Sequence, residues 1–179
     1  MKKLIIAAAM VCAAAFAQAA TVNWSISNVK ADGGASPTAG WAVMAFYTEV
    51  GAGTSAIEAA IASKEAASLA FDSTTLLVSL SKGKVNAHDA TAASLTDTSK
   101  NYDFYFVVFN NASATAADKY AIVGALNQEY SSLDGKYAVG GNFSSATWSE
   151  VPAPVIPEPT TGLLVLLGVA GLALRRRRA

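Results

Sequence analysis

The chain has 179 residues, of which 53% are hydrophobic and 15% are charged, and its formal net charge is zero. Both ends are strongly apolar, and the middle, residues 20–150, holds 7 lysines, no arginine and 12 acidic residues. A net-acidic segment without a basic cluster is a poor match for a phosphate backbone, because binding there depends on the release of condensed counterions. The length allows one domain, and the charge excludes nucleic acid as the expected partner.

The N-terminal segment has the three-part layout of a secretory signal peptide. A lysine pair is followed by an apolar stretch over residues 4–16, which is too short to span a bilayer comfortably. Small side chains at Ala17 and Ala19 then stand three and one residues before the expected cut. We predict a signal peptide over residues 1–19, cleaved after Ala19 or, as the second choice, after Ala20.

Cys12 is the only cysteine and lies inside this apolar stretch. A lipid-modified cysteine is the alternative, but Val11 puts a branched side chain where a lipoprotein signal takes a small one. The main interpretation is an apolar residue in a segment that is removed. The mature protein then has no thiol, which excludes disulfides and thiolate metal sites.

Residues 20–150 have the pattern of one mainly β domain. The stretch "TVNWSISNV" places Val22, Trp24 and Ile26 on one face and polar residues on the other, which is the period of a half-exposed strand. "WAVMAFYTEV" and "YDFYFVVF" are apolar on both faces, and we predict that they are the central strands. Two further predicted strands alternate: "TTLLVSL" with Leu76, Val78 and Leu80 on one face, and "KYAIVGAL" with Tyr120, Ile122 and Leu126 opposite Val123.

One alanine-rich stretch, "GTSAIEAAIASKEAASLAF", breaks the β pattern. Ser55 and Glu58 have the spacing of a capping box, and apolar side chains recur at Ile57 and Ile61. We predict one helix over residues 56–69. With six or seven strands and one helix, the expected architecture is a single antiparallel β-sandwich with the helix across an edge or an end.

Candidate chemistry in this domain is sparse. His88, the only histidine, lies in "KVNAHDATAAS", which we interpret as a polar loop, and Asp89 beside it could orient a general base. No serine has the G-x-S-x-G context of a nucleophile. Asp89, Asp97 and Asp103 offer oxygen ligands for calcium, but their spacing matches no calcium loop. We predict no catalytic residue, no cofactor and no metal site, and we expect that the domain is not an enzyme.

Three tryptophans, Trp24, Trp41 and Trp148, could stack on sugar rings if their faces are exposed. Aromatic residues on strands are more often part of a core, and the sequence leaves their exposure open. Two non-enzymatic roles follow: a structural or adhesive module and, as the alternative, a carbohydrate-binding module. A small hydrolase that uses His88 and Asp89 is the third hypothesis.

The chain after the domain has three parts. Residues 151–159 read V-P-A-P-V-I-P-E-P, and their four prolines predict a semi-rigid extended spacer. Residues 160–174 are predicted to form a transmembrane helix of roughly 22 Å, which is shorter than the roughly 30 Å hydrocarbon core of a bilayer. Residues 175–179 form a basic cytoplasmic tail, in which four arginines stop transfer: Arg175, Arg176, Arg177 and Arg178.

The order of Pro157-Glu158-Pro159, a short apolar helix and a basic end resembles the PEP-CTERM sorting signal of many secreted proteins of Gram-negative bacteria. The resemblance covers residues 155–179 and nothing upstream. It implies that an exosortase, a membrane-embedded cysteine peptidase, recognises the tail during a transient stay in the inner membrane and cleaves near Pro157, Glu158 and Pro159. The domain would then reach the cell envelope, the cell surface or the medium, where the exopolysaccharide layer is a candidate partner.

The signal-peptide prediction fixes the N-terminus of the exported protein. Because Ala17 and Ala19 supply the small side chains that the peptidase pocket accepts, mass spectrometry of the exported chain should find Ala20 or Thr21 as its first residue. An exported chain that still begins at Met1 would contradict it.

Overall fold

A computed structural model describes residues 19–153 of the chain. The predicted signal peptide as far as residue 18, the Pro157-Glu158-Pro159 motif, the apolar segment 160–174 and the arginines lie outside these residues. Within residues 19–153, no helix has the length and apolar character needed to cross a bilayer.

The described residues are mainly β, as predicted, and form two sheets. The strands are β1 (Ala20–Val29), β2 (Ala42–Glu49), β3 (Asp72–Thr75), β4 (Leu77–Ser79), β5 (Lys82–Ala92), β6 (Tyr102–Phe109), β7 (Lys119–Gln128), β8 (Lys136–Asn142) and β9 (Trp148–Glu150). The α-helices are α1 (Ser55–Ala62) and α2 (Ala66–Leu69). The four-stranded sheet has the order β4-β5-β1-β8, and the five-stranded sheet has the order β3-β2-β6-β7-β9.

One strand pair departs from the predicted antiparallel arrangement. β1 and β8 run parallel, from Thr21 opposite Lys136 to Ser27 opposite Asn142. A hairpin can join only antiparallel neighbours, and these two strands are far apart in the sequence, with β8 entering the four-stranded sheet after β7 in the other sheet. Alternation within each strand predicts which face is buried. It does not tell whether two neighbouring strands run parallel or antiparallel.

The main core lies between the two sheets. Val22, Trp24 and Ile26 of β1 are all buried there, which confirms the face predicted from their alternation. From the five-stranded sheet they meet Phe104 and Phe106 of β6, and the rings of Trp24 and Phe106 stack at 5.4 Å. Apolar side chains from both sheets thus close on one another and exclude water.

The second core lies on the other face of the five-stranded sheet. All 8 residues of β6 are buried, so the apolar run of this strand faces the main core with one set of side chains and α1 with the other. Tyr105 and Val107 of β6 form this second cluster with Ile57 and Ile61 of α1. The helical segment therefore covers a face of the sheet, and the prediction that it crosses an edge or an end is wrong.

The predicted single helix is also interrupted. α1 ends at Ala62, and Lys64 takes a positive φ of 62°. The amide of Glu65 donates to the Ala60 carbonyl at 2.8 Å and that of Lys64 to the Ile61 carbonyl at 3.1 Å, which is the Schellman pattern that ends helices. Glycine usually occupies this left-handed position. Because a lysine stands there, the sequence gives no sign that the helix ends. The predicted capping box is wrong as well, because the helix N-cap is Thr54.

The predicted strand "TTLLVSL" is divided between the two sheets. β3 pairs with β2, β4 pairs with β5, and Leu76 between them is fully buried. The chain changes sheets at Leu76, so Val78 and Leu80 do not share its buried face, and both are exposed. The prediction for "KYAIVGAL" is confirmed for Tyr120, which joins the second core, and for Val123, which contacts the main core.

Strand β8 closes the main core with alternate residues. Tyr137 is fully buried, its hydroxyl donates to the Lys100 carbonyl at 2.9 Å, and burial raises its pKa to about 12. Gly141 lies on the same face, and a Cβ added there would meet Phe106 at 2.7 Å and Val123 at 2.9 Å. The glycine is therefore needed for space.

This close approach predicts that alanine destabilises the domain at Gly141 and has little effect at the adjacent Gly140. Gly141→Ala should lower the free energy of unfolding by about 1–3 kcal/mol, because the methyl group overfills the core. Gly140→Ala is the control, since its Cβ would come no nearer than 3.7 Å to Ser25. Urea denaturation of residues 20–150 measures both, and equal midpoints for the two variants would contradict the packing described.

Candidate functional site

The last described residues bring the chain out of the domain at a defined place. β9 pairs with β7, with Glu150 opposite Lys119. The indole of Trp148 donates to the Lys30 carbonyl at 2.9 Å, and the amide of Val151 donates to the Asp118 carbonyl at 2.7 Å. The start of the proline-rich spacer is thus held against the ends of β1 and β7, and the chain leaves the domain there.

His88 lies in strand β5, opposite Trp24 of β1, and the interpretation of its segment as a polar loop is wrong. Its Nδ1 lies 2.7 Å from Oδ2 of Asp72, and the same oxygen accepts the indole N–H of Trp24 at 2.7 Å. Asp72 belongs to the other sheet, so one carboxylate joins the two sheets. A buried indole N–H needs an acceptor, and the predicted burial of Trp24 is the sequence signal for one, although it does not identify Asp72.

The predicted partner of His88, Asp89, faces elsewhere. It accepts a hydrogen bond from the Asn23 amide at 2.6 Å and lies 3.9 Å from the Lys136 ammonium. Within residues 19–153, the only hydrogen-bond partner of the His88 side chain is Asp72, and no serine or threonine hydroxyl forms a hydrogen bond with its ring. In the described part of the chain, the side chains of His88 and Asp89 therefore do not pair with each other.

The three aspartates considered as calcium ligands do not come together. Asp103 is buried and accepts the backbone amides of Gly51 at 2.9 Å and Asn127 at 2.7 Å. Asp97 caps its own loop, where hydrogen bonds from Ser99 lower its pKa. No group of three acidic, histidine or cysteine side chains within residues 19–153 is placed to hold a metal ion.

The tryptophans differ in exposure. Trp24 is fully buried and offers no face to a sugar. Trp41 and Trp148 are partly buried, and their rings meet edge to face at 5.6 Å. A stacking platform for sugar would therefore depend on this pair, which lies where the chain leaves the domain.

A cleft lies on the outer face of the five-stranded sheet. It has a volume of about 480 Å³ and is bounded by β3, the helices and residues 112–115. Lys64 is the one charged side chain in its lining, beside hydroxyl groups such as those of Thr74 and Ser113. With no carboxylate or histidine in this lining, the cleft has no acid–base pair.

Comparison with known protein families gives one match, which lies after the described residues. The model of the PEP-CTERM protein-sorting motif matches residues 155–178. The chain carries a PEP-CTERM sorting motif. Comparisons with curated proteins and with solved structures gave no match.

The PEP-CTERM motif begins 2 residues after the last described residue, Ala153. It implies recognition by an exosortase, export and membrane-associated sorting. The functional site that the family comparison supports is therefore the sorting motif itself. The hydrogen bonds of Trp148 and Val151 fix where on the domain surface that motif is attached.

The cluster of Trp24, Asp72 and His88 predicts a structural role that mutation can test. Asp72→Ala should lower the free energy of unfolding by about 1–3 kcal/mol, because it leaves the buried Trp24 indole N–H without a partner. Asp89→Ala is the matched control, since its carboxylate is exposed, and its effect should stay within about 0.5 kcal/mol. Thermal unfolding of residues 20–150 compares them, and an unaffected Asp72→Ala would show that the carboxylate does not hold the indole.

Proposed function

We propose that this chain is an exported cell-envelope or extracellular-matrix protein, and that its domain serves a structural or adhesive role in the exopolysaccharide layer. An exosortase would process it at Pro157, Glu158 and Pro159 while residues 160–174 sit in the inner membrane. The observation that carries the proposal is the match of the PEP-CTERM motif to residues 155–178.

The described domain supports a non-enzymatic role in two ways. Its one histidine contacts a carboxylate that joins two sheets, which accounts for both side chains without catalysis. Its two sheets share one apolar core, as in sandwich-type domains that act as binding or structural modules. We infer such a sandwich for residues 20–150, with the signal peptide before it and the spacer after it.

Carbohydrate binding is the second candidate, and it depends on Trp41 and Trp148. Their partly buried edge-to-face pair is the aromatic surface that a pyranose ring could contact. In this alternative the domain itself would recognise the extracellular polysaccharide. A glycan-binding assay with Trp148→Ala as the variant separates it from a purely structural role.

The sorting proposal makes Glu158 the residue to test. In Glu158→Ala, the prolines, the apolar segment and the arginines are unchanged, so export should remain intact. Processing should be blocked, because a peptidase group that pairs with the carboxylate is left unpaired at a cost of about 1–3 kcal/mol or more. The full-length membrane form should therefore accumulate in membrane fractions of the native host, as measured by immunoblotting.

Glu150→Ala is the matched control, because Glu150 is an exposed glutamate shortly before the spacer and lies outside the motif. It should be processed like the wild type. A simple membrane anchor gives a different result, in which Glu158→Ala and the wild type distribute equally between membrane and medium, and that result would refute the sorting proposal.

A further inference from the structure

The hairpin between β4 and β5 presents an aliphatic side chain to solvent at a strained turn. Leu80 is 94% exposed, and both turn residues have positive φ, 49° for Leu80 and 65° for Ser81. A two-residue turn of this kind normally takes Asn-Gly, because side chains with a branched or bulky Cβ substituent are disfavoured in the left-handed region. Leu80 satisfies neither the turn nor the core, so its position calls for another explanation.

Apolar exposure continues along this hairpin. Leu77 and Val78 of β4 are 48% and 42% exposed. With Leu80 they form an aliphatic edge at one corner of the four-stranded sheet, which we call the Leu80 edge. Apolar side chains flanked by lysines are the pattern of surfaces that lie in the interfacial region of a bilayer.

Lysines without ion-pair partners lie beside the Leu80 edge. Lys84 is opposite Leu77, Lys82 is opposite Ser79, and Gly83 between them pairs with Val29, the residue before Lys30. Among the described residues, none of these three lysines forms an ion pair, whereas Lys100, Lys119 and Lys136 each have an aspartate partner. Of the four described lysines without an ion pair, three lie around this hairpin, and the fourth, Lys64, follows α1.

The chain leaves the domain at the same end. Trp148 donates to the Lys30 carbonyl, and Lys30 follows the Val29–Gly83 pair that borders the hairpin. The opposite end of β1 pairs Ala20 with Ala92 and Thr21 with Lys136. The spacer and the predicted membrane segment therefore continue from the end of the domain that carries the Leu80 edge and the free lysines.

We propose that this end of the domain docks on an anionic lipid bilayer, with Leu80 entering the interfacial region and Lys30, Lys82 and Lys84 contacting lipid phosphates. The inference rests on the proposed function in one respect, namely that residues 160–174 hold the chain at a membrane. Docking would fix the orientation of the domain on the bilayer while the exosortase recognises the sorting motif. Polybasic segments next to a membrane anchor gain roughly five-fold in binding per lysine near an anionic leaflet.

A lipid surface accounts for both the Leu80 edge and the neighbouring free lysines. The lysines alone would suit any polyanion, including an acidic polysaccharide, but a polysaccharide gives no reason for an aliphatic residue at a strained turn. A second copy of the chain bound symmetrically through the same surface would bring the same free lysines against one another, which is unfavourable. The bilayer alone offers an apolar layer beneath negative charge.

The test uses the mature chain, residues 20–179, which contains no cysteine, and reconstitutes it through its C-terminal segment into vesicles of phosphatidylcholine with or without phosphatidylglycerol. A bimane label on Leu80→Cys reports contact with a nitroxide-bearing lipid by quenching. The matched control is the same label on Leu133→Cys, because Leu133 is 98% exposed and lies just before Lys136, at the other end of β1. We expect quenching at position 80 in anionic vesicles, at least about two-fold above that in neutral vesicles, and none at position 133.

Two further variants separate the contribution of the lysines from that of Leu80. Replacing Lys30, Lys82 and Lys84 with Gln should reduce quenching at position 80 in anionic vesicles to its level in neutral ones. Leu80→Asn with Ser81→Gly should raise the Tm, because these residues suit the turn, and should increase the accessibility of Lys82 to an amine-reactive reagent in anionic vesicles. A docking loss together with a stability gain is a result that a purely structural role for Leu80 does not give.

Three results would overturn the inference: equal quenching at positions 80 and 133, equal quenching in neutral and anionic vesicles, or a bimane response to soluble alginate in place of lipid. Insertion of the C-terminal segment is measured separately by carbonate extraction. If the segment is inserted and position 80 stays in water, docking fails while the proposed function stands. If carbonate removes the chain from the vesicles, the membrane step of the proposed function fails.

Discussion

Strand β6 has no polar face, and the rest of the domain is arranged to cover it. All 8 of its residues are buried, including the carboxylate of Asp103. One face is covered by the four-stranded sheet and the other by α1. A buried carboxylate must be hydrogen-bonded, and the amides that Asp103 accepts belong to Gly51 and Asn127, so the same strand also fixes the loop after β2 and the irregular end of β7.

Local periodicity was sufficient for the elements whose burial follows from their own residues. The alternation of β1 and the unbroken apolar runs of β2 and β6 each predict burial directly, because side-chain direction repeats every two residues in a strand. The same argument failed at Leu76. Its alternation continues through Val78 and Leu80, but the partner strand changes at that residue, and burial follows the partner.

The remaining errors concern contacts between residues distant in sequence. Asp72 is 48 residues from Trp24 and 16 from His88, so the neighbour of His88 in sequence, Asp89, was the wrong carboxylate. The direction of β8 along β1 and the position of α1 on a sheet face are likewise set by how the chain crosses between layers. Lys64 at the end of α1 is different: the backbone there takes a conformation that glycine favours, and the residue identity gives no sign of it.

The sorting motif was readable from the sequence because its recognition depends on the local order of a proline-flanked acid, an apolar run and arginines, without long-range contacts. What the sequence could not give is the surface from which that motif extends. The fold supplies it. The hydrogen bonds of Trp148 to Lys30 and of Val151 to Asp118 fix the place where the chain leaves the domain, beside the C-terminal end of β1 and the start of β7. In the docking proposal, a tail that enters the membrane from this end brings the Leu80 edge and the neighbouring lysines to the same membrane. On that proposal, contact with lipid accounts for an exposed leucine and unpaired lysines that the core does not use.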